Sequence, residues 1–229
     1  MGNFRTVANL DRFWETETLG IADDRNSSLT KAEESAQLLQ DKVTYYDKQT
    51  LTWYTELLWK KFPPDLGKNK ARAIAVMRAT ELQALKKKQV KEINNSIDEL
   101  VKMGFAEEVH EDQEPDGCHY LPGLAVFREG VETTKTRYVM NAASVTESGK
   151  AINDNLHMGP CKLPQINHVV IRWRMNLIAF VLDISKMFLR IRLTKGSDYL
   201  RFVWRFCEKN LPPRIFRMLV LTFGIISSP

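Results

Sequence analysis

Leu177 to Leu182 is an unbroken apolar run, and a single carboxylate, Asp183, closes it. A run of that length without polar alternation predicts a strand buried on both faces. Past Asp183, the apolar residues Ile184, Met187, Phe188 and Ile191 recur at helical spacing, with Lys186 and Arg190 on the other side. That spacing predicts a short helical segment, so one carboxylate should stand where a concealed strand turns into a helix. An ionised Asp beside so much apolar surface is costly unless it is hydrogen-bonded or bound to a cation. Two readings of Asp183 stay open on this stretch alone: the N-cap of the following helix, or a ligand for a cation.

The chain has 229 residues, 44% of them hydrophobic, enough for one sizeable domain or a domain with an appended segment. No apolar run approaches the roughly 18 residues that span a bilayer, and the first 20 residues are polar and charged. A soluble, intracellular, cytoplasmic protein with no membrane partner is the expectation. Cys118, Cys161 and Cys207 form no close-spaced pair, so neither a zinc site nor a disulfide framework is predicted. The net charge of +5 is uneven. Residues 1–115 hold 17 Lys/Arg against 20 Asp/Glu, whereas residues 116–229 hold 16 against 8. The carboxyl-terminal half is the better candidate for meeting phosphates.

Punctuation along the chain sets the organisation. Phe13 to Ile21 reads as a docking segment. Ser28 and Thr30 offer caps for a helix reaching about Tyr45, with Ala36, Leu39 and Val43 as its stripe. A hairpin turning at Asp47-Lys48-Gln49 follows, and Phe62 to Gly67, with two prolines, is the clearest break. Asn69 should cap a helix that ends near Lys86-Lys87-Lys88. A second helix, from about Gln89 to Met103, should stop at Gly104 in the C′ position. From Phe105 the period shifts toward two. Strands are expected at 105–109, 120–127 and 134–140 (the last two joined around Glu129-Gly130), then at 199–206 and 215–221. Pro164 should open a helix carrying Ile166, Val169, Val170 and Trp173. Phe223-Gly224 reads as a turn, and Ser227-Ser228-Pro229 as the signal for a further helix.

Several of these stretches, taken in order, resemble the reverse transcriptase region of Pol polyproteins from BEL/Pao-type LTR retrotransposons. FWETETLGI at 13–21 is similar to the segment leading into that region, and IDELVKMGFAEEV at 97–109 to its helix-to-strand entry. YLPGLAVFRE with TTKTRYVMNAAS at 133–144 resembles the fingers hairpin, and INDNLHMGP at 152–160 a further family stretch. FVLDISKMFLRIRL resembles polymerase motif A, and LTFGIISSP at 221–229 the start of motif B. The resemblance runs over about residues 13–229. It implies an α+β fold: a helical N-terminal arm at 1–67, fingers at 68–175, and a partial palm at 176–229 with a mostly antiparallel sheet.

The resemblance also implies roles for single residues. Asp183 matches the motif A aspartate, a ligand of two catalytic Mg²⁺ ions, and the backbone carbonyl of Ile184 would join the same site. Carboxylates suit a hard cation that prefers oxygen, and two such ions serve nucleotidyl transfer. Phe188 matches the aromatic under the sugar that excludes a 2′-hydroxyl, although it also reads as a core residue. Arg137 matches the fingers arginine that meets the incoming triphosphate, with Lys135 its neighbour on the same strand face. Phe223 and Gly224 match the motif B turn, where glycine lets the backbone approach nucleotide and template. The partners implied are an RNA or DNA template–primer and a dNTP.

The sequence departs from the pattern at Asn141, where the family usually has Asp, and at Gly123, where His is common. The aromatic-x-Asp-Asp turn of motif C, source of the other metal carboxylates, is not in the sequence. The expectation is a polymerase fragment that does not polymerise alone. The alternative is a non-catalytic nucleic-acid-binding or interaction module derived from a retroelement.

Overall fold

A computed structural model describes residues 29–127, 136–160 and 163–226. The 13–21 segment, the Ser28 cap, the Glu129-Gly130 turn, Lys135, Cys161 and Ser227-Ser228-Pro229 lie outside the described residues. Helix α1 spans Lys31–Val43, and its start follows from the sequence. Thr30 Oγ1 accepts from the Glu33 amide at 3.3 Å while the Thr30 amide donates to Glu33 Oε2 at 2.8 Å, a reciprocal capping box. Strands β1 (Tyr45–Asp47) and β2 (Thr52–Glu56) form the expected hairpin. Asp47 fixes its turn by accepting from the Gln49 amide and the Thr50 hydroxyl, both at 2.8 Å.

Helices α2 (Lys70–Lys86) and α3 (Val90–Lys102) end where the lysine run and Gly104 predict. Gly104 adopts φ +67, the left-handed conformation of a C′ residue. Asn69 occupies the N-cap position of α2 but its side chain does not cap. That amide is buried and is taken by Tyr120: its Nδ2 donates to the Tyr120 carbonyl, and its Oδ1 accepts from the Tyr120 amide at 3.0 Å. A position read as a local helix signal is a long-range clamp between α2 and the chain entering β4.

The remaining strands are β3 (Ala106–Val109), β4 (Gly123–Phe127), β5 (Thr136–Met140), β6 (Ile191–Lys195), β7 (Arg201–Trp204) and β8 (Arg214–Met218). Strands β3, β8 and β7 make an antiparallel sheet in that order, and β4–β5 is an antiparallel pair. The hairpin β1–β2 is extended by β6, which runs parallel to β2 with Trp53 opposite Ile191. The molecule is thus mixed α+β with small, mainly antiparallel sheets. One hydrophobic core links the arm, the central segment and the carboxyl-terminal strands, through residues such as Leu57, Met77, Ile97, Phe202, Trp204 and Phe216. Within it Phe202 stacks on Phe216 at 5.3 Å, and Glu81, 2% exposed, holds Arg205 by hydrogen bonds of 2.7 to 3.1 Å.

Two expectations fail in one place. The run Leu177–Leu182 is not a buried strand: no ladder forms there, and Leu177, Val181 and Leu182 are 106%, 83% and 83% exposed. An apolar run becomes a strand only when a neighbour supplies its hydrogen bonds. Among the described residues no neighbour does. Nor does a helix follow Asp183. Lys186 sits at φ +56, a left-handed conformation that interrupts helical winding, and its ammonium is held by Glu99 of α3 at 2.5 Å. One 3₁₀ turn, Phe188–Arg190, then leads directly into β6, so the ordered strand here is Ile191–Lys195. The helix expected after Pro164 does form, as α4 (Ile166–Arg174), but Ile166, Val169, Val170 and Trp173 are exposed rather than packed.

Candidate functional site

The turn at Phe223-Gly224 is where residues from four separate stretches converge. The antiparallel bridge between Arg192 and Val220 brings it there: the Leu193 amide donates to the Leu219 carbonyl at 2.9 Å, and the Leu221 amide to the Ile191 carbonyl at 3.0 Å. This pairing sets Phe223 beside Phe188, whose rings meet edge to face at 5.2 Å. Gly224 takes φ +92, and a Cβ there would fall 2.9 Å from the Met140 carbonyl oxygen at the end of β5. Both the backbone conformation and the close approach therefore require glycine.

Asn153, in the 3₁₀ turn Ile152–Asn155, ties the convergence together. Its Nδ2 donates to the Gly224 carbonyl at 2.9 Å and its Oδ1 accepts from the Ile226 amide at 3.0 Å. Its own amide donates to the Ala142 carbonyl at 3.4 Å. Sequence reasoning marked the 152–160 stretch but gave Asn153 no role. An Asn followed by Asp154 and Asn155 was the available signal, since its amide can serve a donor and an acceptor at once.

Arg137 lies on β5 opposite Val126 of β4, exposed, and makes no ion pair among the described residues. Met140 closes the same strand, so Arg137 and the Phe223-Gly224 turn share one element as their support. Lys135 lies outside the described residues. Gly123 has a structural reason. A Cβ at Gly123 would fall 1.8 Å from the Tyr138 hydroxyl oxygen, which leaves no room for any side chain while that ring stays in place. The ring in turn packs on Phe202 and Trp204, at 5.5 and 5.6 Å. Burial pushes the Tyr138 phenol above its ordinary range, so it stays neutral.

No protein-family model matches this chain. No curated protein matches it either.

Asp183 and Ile184 are both exposed and belong to no regular element. The Asp183 carboxylate has no hydrogen bond or ion pair among the described residues. Phe188, Phe223 and Gly224 are brought together, whereas Asp183 and Ile184 stay exposed. Among the described residues no group of three or more His, Cys, Asp or Glu is placed to hold a metal. One carboxylate and a neighbouring carbonyl do not form a cradle for two Mg²⁺ ions. The nearest acid beyond β6, Asp198, is already engaged by Arg201 at 2.5 Å and Arg217 at 3.1 Å.

Behind β4 lies a second polar group that sequence reasoning missed. His119 is buried, its Nε2 stands 3.3 Å from Asn69 Nδ2, and burial lowers its imidazole to about 4. Burial also acts to lower the Lys70 ammonium, but its hydrogen bonds to Glu114 at 2.7 Å and Glu111 at 3.2 Å outweigh that and hold it above its usual value. Burial, with the Glu114 carboxylate beside it, raises the Cys118 thiol to about 11, so that thiol is no nucleophile at neutral pH. These residues fasten α2 to β7 and the entry of β4; they are structural.

Proposed function

We propose that this chain supplies the fingers and the first part of the palm of an RNA-directed DNA polymerase of retrotransposon type. The observation that carries this reading is the meeting of Phe188, the Phe223-Gly224 turn, Asn153 and the end of β5. These come from four stretches that separately resemble parts of one enzyme. Their chemistry fits binding of a nucleotide. Arg137 offers a planar pair of donors to a triphosphate, the Phe188–Phe223 ring pair offers an apolar floor for a sugar, and Gly224 lets backbone come close. No catalytic step is assigned to Asp183, because among the described residues it stands without companion acids.

The second reading, a nucleic-acid-binding module without catalysis, is favoured by that same lone carboxylate and by the basic balance of residues 116–229. Fluorescence anisotropy of a labelled primer–template, with and without the complementary dNTP, separates the two. The polymerase reading expects the dNTP to tighten the complex, and Arg137→Ala and Phe188→Ala to abolish that gain. Binding indifferent to dNTP and to both substitutions leaves the module reading. No binding of primer–template at all removes both.

A further inference from the structure

The hairpin β1–β2 presents its aromatic rings outward rather than to the core. Cross-strand partners Tyr45 and Tyr54 stack at 5.4 Å with their planes 13° apart, and Tyr45 remains 51% exposed. Arg192 of β6 is the next residue across the sheet from Tyr54, so one sheet face carries the row Tyr45, Tyr54, Arg192. Tyr45 also lines an open cavity of about 420 Å³, between the end of α1 and β6, whose lining carries Lys42, Lys195 and one acid, Glu56. Cross-strand ring pairing explains why Tyr45 touches Tyr54. It does not explain why the outer ring is left half bare beside a cavity that two lysines also line.

Charge is complementary to a polyanion here. Residues 41–61 with β6 carry six Lys/Arg (Lys42, Lys48, Lys60, Lys61, Arg192, Lys195) against three acids. Each of those acids is already occupied. Asp47 is bound within its own turn, Asp41 accepts from the Gln37 amide at 2.6 Å, and Glu56 faces Lys195 at 3.4 Å. Lys42 has no ion partner among the described residues.

We infer that this face binds single-stranded nucleic acid, with a base stacked on Tyr45 in continuation of the Tyr45–Tyr54 pair and the flanking phosphates met by Lys42 and Lys195. An aromatic ring accepts any base, and the lysines track backbone charge, so binding should be salt-dependent and tolerant of sequence. This surface lies on the arm and on β6, the strand that also bridges to Val220, and the inference does not depend on the polymerase reading.

The test is anisotropy of a fluorescein-labelled oligouridine against the full chain over a range of salt. Tyr45→Ala should weaken binding about ten- to a hundredfold while Tyr45→Phe keeps it, as stacking on the ring alone requires. Lys42→Gln, at an exposed position in the last turn of α1, should flatten the slope of log K against log salt by about 0.7. An abasic strand of the same length should bind Tyr45→Ala and the unmodified chain alike. Equal binding of oligouridine by Tyr45→Ala and the parent overturns the inference, as does a salt slope unmoved by Lys42→Gln. If Tyr45→Ala instead changes only sedimentation, the face is a protein contact and the inference is likewise overturned. The two proposals fail separately: absence of the dNTP-dependent gain overturns the polymerase reading, whereas oligouridine binding unmoved by Tyr45→Ala overturns this one.

Discussion

At the scale of single residues, the buried polar groups carry the clearest pH dependence. His119 titrates at about 4 in the fold against an ordinary value of 6.5, because burial penalises the imidazolium. Between those values the unfolded chain binds the proton and the folded chain does not. Stability is therefore lost as pH falls from about 6.5 to about 4, by up to about 3 kcal/mol. Glu108, held below its ordinary value by its hydrogen bond to Arg214, adds loss of the same sign only nearer its unfolded value of 4.5. Urea unfolding at pH 7 and pH 5 isolates the histidine: His119→Gln should remove most of the difference seen in the parent chain. An unchanged difference would falsify the assignment. His119 was invisible in the sequence because nothing local marks it; its burial comes from Asn69 and the chain around β7, both distant in sequence. Gly123 was noticed only as a departure from a pattern, and the Tyr138 ring that explains it lies 15 positions on.

Among the secondary elements, the local signals were legible and the tertiary ones were not. Thr30 with Glu33, the Asp47 turn, the lysine run and Gly104 each act within a few residues, and each element starts or stops where they indicate. Leu177–Leu182 misled because apolar content reports what a segment would gain by burial, not whether a partner is present to bury it. Left bare, this run and Ile184 are strongly apolar and exposed, with backbone unpaired among the described residues, the pattern that seeds edge-to-edge association. Val181→Lys adds charge where the side chain is 83% exposed. It should change stability by no more than about 0.5 kcal/mol and raise the monodisperse fraction in light scattering. A marked fall in Tm would show that Val181 is covered in solution.

For the molecule as a whole, the exposed stretch interrupts the sequence but not the core. The strands on its carboxyl side, β6, β7 and β8, pack with β2, β3 and α2 from its amino side. Trypsin should therefore cut first at Arg172 or Arg174, both exposed. The two pieces should still elute together from a sizing column in the absence of denaturant. Separation of the pieces on cutting would show that the shared core does not hold them. The parallel partnership of β2 with β6 has a consequence for synthesis. Thr194 and Glu56, bonded at 3.3 Å, stand 138 residues apart. While a ribosome is still translating, the hairpin waits with one flank unzipped until the far strand emerges, and loop-closure entropy makes that late docking slow. Nascent chains should thus lean on holdase chaperones for most of the time they take to be made.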